Sequence, residues 1–204
     1  EIMNSITPIS SLTSTLKDIL EYDLTQKENH YELKQEGAED LKEGLNTIEN
    51  RSKGLIKFID AYREYTSLPN PKTKMVRLKD MIEKVSMLMR QEMKSRNINF
   101  RYECSSEYLT LQVDEEMIEQ VLINLLKNAA EATSGSPDPK IELTGKYDGS
   151  HVKIEVIDNG SGIIPEAIDR IFVPFYTTKK SGSGIGLSLS RQIMQLHNGT
   201  LTVE

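Results

Sequence analysis

Apolar residues in the first third of the chain keep to helical faces, and those in the remainder switch between helical and alternating rhythms. Ile2, Ile6, Ile9, Leu12, Leu16 and Ile19 advance by threes and fours, so they line one side of a helix. Leu41, Leu45, Ile48, Ser52, Leu55, Ile59 and Tyr62 alternate steps of four and three without a slip, the heptad seam of helices packed side by side. Two helices enclose no core, so the pattern predicts a hairpin that dimerises into four helices; packing against the rest of its own chain is the alternative. The connector Tyr22–Asp40 is polar and reads as a loop with helical extension at either end, and His30 within it as a solvated histidine.

Leu68-Pro69-Asn70-Pro71 ends the second helix and places a domain boundary at about 67–74. Downstream the pattern predicts a helix over Leu78–Asn97, with Met81, Ile82, Val85, Leu88 and Met89 inward. Strands at Asn99–Cys104 and Leu109–Val113 and a helix over Asp114–Thr133 follow. Next come a hairpin of Ile141–Lys146 and Val152–Ile157 turning at Asp148-Gly149, and an irregular stretch over 159–183 with one short helix near Pro165–Ile171. A helix over Gly186–His197 and a strand from Thr200 close the order. The fold class is α+β: residues 1–67 a helical hairpin, residues 75–204 a mixed domain. The chain opens at Glu1 without methionine, and we read it as a piece of something longer.

Composition narrows the function. With 37% hydrophobic and 27% charged residues the chain can build a core, and its net charge of −6 argues against a nucleic-acid partner. It contains no apolar run near the ~20 residues of a membrane span. The one cysteine, Cys104, sits in a predicted strand and reads as a small buried hydrophobe, consistent with a reducing compartment.

Four stretches carry candidate chemistry. Asn124 and Asn128 stand four apart at the edge of a buried stripe made by Ile118, Leu122, Leu125, Leu126 and Ala129. Two such amides cap or pair with each other, or they aim into a cavity where an amide oxygen suits Mg²⁺. Asp158-Asn159-Gly160-Ser161-Gly162 follows a strand directly; it is a hairpin turn or a loop whose glycines let backbone approach a ligand. Gly182-Ser183-Gly184-Ile185-Gly186-Leu187 opens a helix, so it is a flexible link or an anion-binding terminus. Between the last two, Phe172, Phe175, Thr177, Thr178, Lys179 and Lys180 suit a segment that folds over a charged ligand.

In this order, Asn124-x3-Asn128-Ala129, Asp158-x-Gly160-x-Gly162, Phe172-x2-Phe175 and Gly182-x-Gly184-x-Gly186-Leu187 resemble the four boxes of the sensor histidine kinase ATP-binding domain. Glu1-Ile2-Met3-Asn4-Ser5-Ile6-Thr7-Pro8 is similar to the stretch just after the phosphoacceptor histidine in nitrogen-regulation kinases of the NtrY/NtrB kind. Ser5 replaces the usual proline, and the histidine itself would precede Glu1; His30, His151 and His197 lack the pattern.

The resemblance implies a dimeric four-helix bundle followed by an α/β sandwich of the GHKL (Bergerat) type. It implies ATP and Mg²⁺ as ligands, with the metal on Asn128. The nucleotide set it implies is Asn124, Lys127, Asn128, Asp158, Gly160, Gly162, Ile163, Phe175, Thr177, Thr178, Lys179, Gly182, Ser183, Gly184, Ile185, Gly186 and Leu187. Asp158 would accept from the adenine amino group, Glu1 would act as base, and Asn4 would orient water in a phosphatase reaction. It further implies a response-regulator receiver domain as partner and a cytoplasmic location, with any membrane anchor outside this sequence. An ATP-binding scaffold without a functional acceptor is the alternative, and a gyrase-type ATPase is disfavoured because Asn124 stands where that class has its glutamate base.

Overall fold

The structure is a computed structural model describing residues 2–27, 30–179 and 182–203, with the side chains of 2–5, 30 and 64 outside the description. It divides into two compact units, Glu1–Ser67 and Leu68–Glu204.

In the first unit, α1 (Ile2–Tyr22) packs on α2 (Gln35–Thr66). Leu16 is buried and Ile9, Leu12 and Ile19 are half-buried, which is the inward face the spacing predicted, although Ile6 remains 45% exposed. The helices approach closely because position 44 is glycine: a Cβ there would stand 2.6 Å from Leu16 Cδ2. The connector is not a loop. Leu24–Lys27 (β1) and His30–Leu33 (β2) form an antiparallel ladder from Leu24 opposite Leu33 to Lys27 opposite His30. Short alternation of Leu, Thr, Tyr and Leu among charges hides a strand pair that ion pairs then close, Lys27–Glu32 at 3.1 Å and Lys34–Asp23 at 2.6 Å.

The second unit is two-layered. Lys74–Arg77 (β3), a strand too short to show a period, pairs antiparallel with Thr110–Val113 (β5). Asn99–Cys104 (β4) runs parallel to Lys140–Tyr147 (β6), and β6 pairs antiparallel with Val152–Asp158 (β7). Above this sheet lie Leu78–Ser95 (α3) and Glu115–Ala132 (α4), the latter packed against Gly186–Leu196 (α6); Pro165–Ile168 (α5) is one turn. Ile141, Leu143 and Gly145 of β6 are buried on one face, and a Cβ at Gly145 would reach within 2.7 Å of Ile82 and 2.8 Å of Leu78. Glycine there lets α3 sit directly on the sheet.

Leu78, Met81, Ile82, Val85, Met89 and Met93 form the buried stripe of α3, while Leu88, expected inward, is 59% exposed because it lies off that stripe. Asp114 caps α4, accepting from the Met117 amide at 3.3 Å and, across the unit, from the Lys72 amide at 2.7 Å. These amides, Lys72 first, hold its carboxyl below the usual range. The strand expected from Thr200 does not form: residues 199–203 join no ladder, and a strand exists only through a hydrogen-bonded neighbour.

Candidate functional site

Helix α4 carries the two asparagines on its edge, and the structure separates their roles. Asn124 Nδ2 donates to Ser190 Oγ at 2.9 Å, tying α4 to α6. A Cβ on Gly186 would stand 2.3 Å from Asn124 Oδ1, so the first residue of α6 must be glycine for the two helices to meet. One turn on, Asn128 Oδ1 accepts from Lys179 Nζ at 2.8 Å, and the same ammonium pairs with Glu131 Oε2 at 2.5 Å. Lys127 is exposed.

The Asp158 loop docks at the end of this helix. Asp158 is the last residue of β7, opposite Ile141, and its Oδ1 accepts from the Gly160 amide at 2.9 Å. Gly160 rests on the α4 backbone, where a Cβ would come 2.4 Å from the Ala132 carbonyl carbon, and Ser161 N donates to Ala132 O at 3.0 Å. Gly162 adopts φ +69 in open space, a left-handed conformation that glycine takes without penalty. Ile163 beside it is 40% exposed. Asn159, absent from the sequence-based set, pins the loop to the sheet edge: its Oδ1 accepts from Lys140 N and its Nδ2 donates to Asp138 O, both at 2.8 Å. Its position just after a strand is a turn signal, but the cross-strand partners are not readable from sequence.

The aromatic and glycine segments join each other. Phe175 N donates to Gly184 O at 2.8 Å, with φ of 66 at Phe175 and 69 at Gly184, whose Cβ would collide with the Phe175 carbonyl at 2.5 Å. Thr177 Oγ1 accepts from Lys179 N at 3.0 Å and lies 2.7 Å from where a Gly182 Cβ would be. Thr178 and Ser183 are exposed, Gly184, Gly186 and Leu187 half-buried, and Ile185 is buried beneath the start of α6. Two cation–π contacts fix this region: Arg191 lies 4.4 Å over Phe172, and Arg170 4.3 Å over Tyr176. Neither arginine stands out in the sequence, because each acts through a fold-dependent neighbour.

Other histidine and cysteine candidates have structural occupations. His197 Nε2 accepts from Asp114 N at 3.0 Å, and its Nδ1 meets the Ile193 carbonyl at 2.8 Å, which selects the Nδ1–H tautomer. His151 belongs to the turn organised by Asp148, and Cys104 Sγ contacts Ser106 O. Glu1 and the side chain of Asn4 lie outside the described residues. Among the described residues, no three His, Cys, Asp or Glu side chains converge on a metal position. The Asn128 and Glu131 oxygens nonetheless share one cationic group, Lys179 Nζ, which is the donor chemistry a divalent cation with phosphate and water ligands requires. A shallow hollow of about 300 Å³ beside Asp158 is lined also by Asn99, Arg101, Lys140, Ile141, Glu142, Ile157 and Asn159, with no glycine in its walls.

An asparagine helix over a mixed sheet, with two glycine segments converging on it, defines a GHKL-type nucleotide-binding domain. Residues 113–204 match the histidine kinase-, DNA gyrase B- and HSP90-like ATPase family. The catalytic domain of the histidine kinase ThkA is 36% identical, with a TM-score of 0.57 over 62% of this chain and 82% of that one. ThkA solved in complex with the response regulator protein TrrA aligns at a TM-score of 0.64 and 28% identity, over 97% of this chain and 53% of that one. Among curated relatives, the sensor histidine kinase ZraS of Escherichia coli K12 is 36% identical over 128 residues, 63% of this chain and 27% of its own length. An NtrY-like sensor histidine kinase of Rickettsia felis is 28% identical over 203 residues, all of this chain and 32% of its own length. The chain belongs to the sensor histidine kinase family. It spans 20 to 32% of the length of the curated relatives cited and of their kin.

Proposed function

We propose that this chain is the core of an ATP-dependent protein-histidine kinase of a two-component system. The observation that carries this reading is convergence on α4: Gly186 against Asn124, Lys179 on Asn128, and the Gly160 loop on Ala132. The Asp158 carboxylate offers only acceptors and so selects the donor amino group of adenine, with Ile163 supplying apolar floor. Backbone from Gly182 to Leu187 receives the triphosphate at the start of α6, and Lys127, Thr177, Thr178 and Lys179 surround it. Asn128 would hold Mg²⁺, which neutralises phosphate charge when bound. Asn124, whose Nδ2 donates to Ser190 Oγ, supports Asn128 at the ligand.

A histidine just before Glu1 attacks the γ-phosphorus in line. The bond to the β–γ bridging oxygen breaks, ADP leaves with the electron pair, and Glu1 takes the imidazole proton. The phosphoryl group then passes to an aspartate of a response-regulator receiver domain. Residues 1–67 dimerise: Leu45 (53%), Ile56 (59%), Ile59 (49%) and Tyr62 (52%) leave an apolar strip exposed on α2.

The test is phosphorylation of a version extended upstream through the histidine, incubated with γ-labelled ATP. Acid-labile, base-stable label supports the kinase. Nucleotide binding without such label leaves the scaffold reading.

A further inference from the structure

Glu131 has no place in the nucleotide set above, yet it contributes to the one ionic contact between α4 and the 171–179 segment among the described residues. Positions 128 and 131 are three apart, so their side chains share a helix face, and both oxygens close on Lys179 Nζ, at 2.8 Å from Asn128 and 2.5 Å from Glu131. The lysine is held at both ends, because its backbone amide donates to Thr177 Oγ1 at 3.0 Å. The segment behind it is anchored in turn by the Phe175–Gly184 hydrogen bond and the Arg191–Phe172 contact.

We propose that Asn128 and Glu131 form a two-oxygen cation seat that Lys179 fills in the nucleotide-free protein, latching the 171–179 segment to α4. Glu131 is the residue that holds the latch. This rests on the nucleotide reading of the preceding section. A divalent cation arriving with nucleotide claims the same Asn128 oxygen, and two cations on one amide oxygen repel, so the two occupancies exclude each other. The displaced ammonium is then free for phosphate, as a compact charge on a flexible four-carbon stem. Binding is thereby coupled to release of the segment through a single side-chain exchange. The pair is 42% and 48% exposed, so the latch is weak and readily reversed.

The test is hydrogen–deuterium exchange of the amides of residues 175–179 in the full chain. Without nucleotide, Glu131→Gln and Lys179→Met should each speed exchange about two- to fivefold, the worth of a half-exposed ion pair. The double variant should match Lys179→Met, because loss of the lysine already removes its contact with Glu131. With excess Mg-ADP, exchange in the wild type should change, and Glu131→Gln should no longer differ from it. Wild-type exchange rates in nucleotide-free Glu131→Gln, with the response to Mg-ADP intact, overturn the latch alone. Wild-type exchange unmoved by Mg-ADP overturns the nucleotide reading and the release step with it.

Discussion

Substituting Gly160 with alanine tests how the Asp158 loop is held. The added methyl meets backbone rather than a flexible side chain, with the Ala132 carbonyl carbon at 2.4 Å and its oxygen at 2.5 Å. Neither can yield without moving α4 or the loop. Overpacking of this kind costs about 1–3 kcal/mol, and displacing the loop also breaks the Ser161 N to Ala132 O bond, worth roughly 1 kcal/mol. The sum of about 2–4 kcal/mol corresponds to a fall in melting temperature of roughly 6–12 °C for a domain of this size. Gly162→Ala is the control: its φ of +69 makes alanine strained, but the methyl enters open space, so about 1 kcal/mol and roughly 3 °C are expected. The assay is far-UV circular dichroism melting of the full chain, since the absence of tryptophan limits fluorescence. A Gly160→Ala melt within about 2 °C of wild type, or above that of Gly162→Ala, would refute the packing argument.

Three further outcomes are expected. Ile59→Asp puts a charge on the exposed strip of α2 and should weaken self-association by more than about tenfold in analytical ultracentrifugation, with helicity retained. In a version extended through the histidine, Asn4→Ala should preserve autophosphorylation and weaken dephosphorylation of the regulator; equal loss of both contradicts the role of Asn4. Lys146 and Lys153 hold the Glu155 carboxyl down to about 2, so its stabilising effect is complete above the ordinary carboxylate value and is lost as pH falls toward about 2. Glu155→Gln should accordingly flatten that part of the acid-melting curve, and an unchanged slope rejects the assignment.

Much of the fold was legible because its helices are amphipathic and capped. Asp114 marks the start of α4, and the threes and fours of α1 mark its buried face. What escaped depends on partners distant in sequence. β3 has only Val76 buried and exists because Leu111 lies opposite it. The β1–β2 ladder replaces a stretch whose charges read as loop, since ion pairing across strands leaves no hydrophobic period. At the candidate site the boxes gave order but not contact. Asn124 and Asn128 look equivalent in sequence, yet one bonds Ser190 and the other Lys179. Glu131, Asn159, Arg170 and Arg191 carry no signature alone, because their meaning comes from what folding sets against them.

Titration calorimetry of ATP and GTP against the wild-type chain and Asp158→Asn, with Mg²⁺ present, shows whether Asp158 reads adenine. Asp158 Oδ1 already accepts from the Gly160 amide, so an asparagine keeping its one oxygen on that amide turns its NH2 donors toward the adenine amino group and should weaken ATP binding by more than about tenfold while the dimer persists. The wild type should prefer ATP over GTP. Equal ATP affinity in the two proteins, or no discrimination between the bases, would contradict the assignment of Asp158 as the adenine-reading wall of an ATP site.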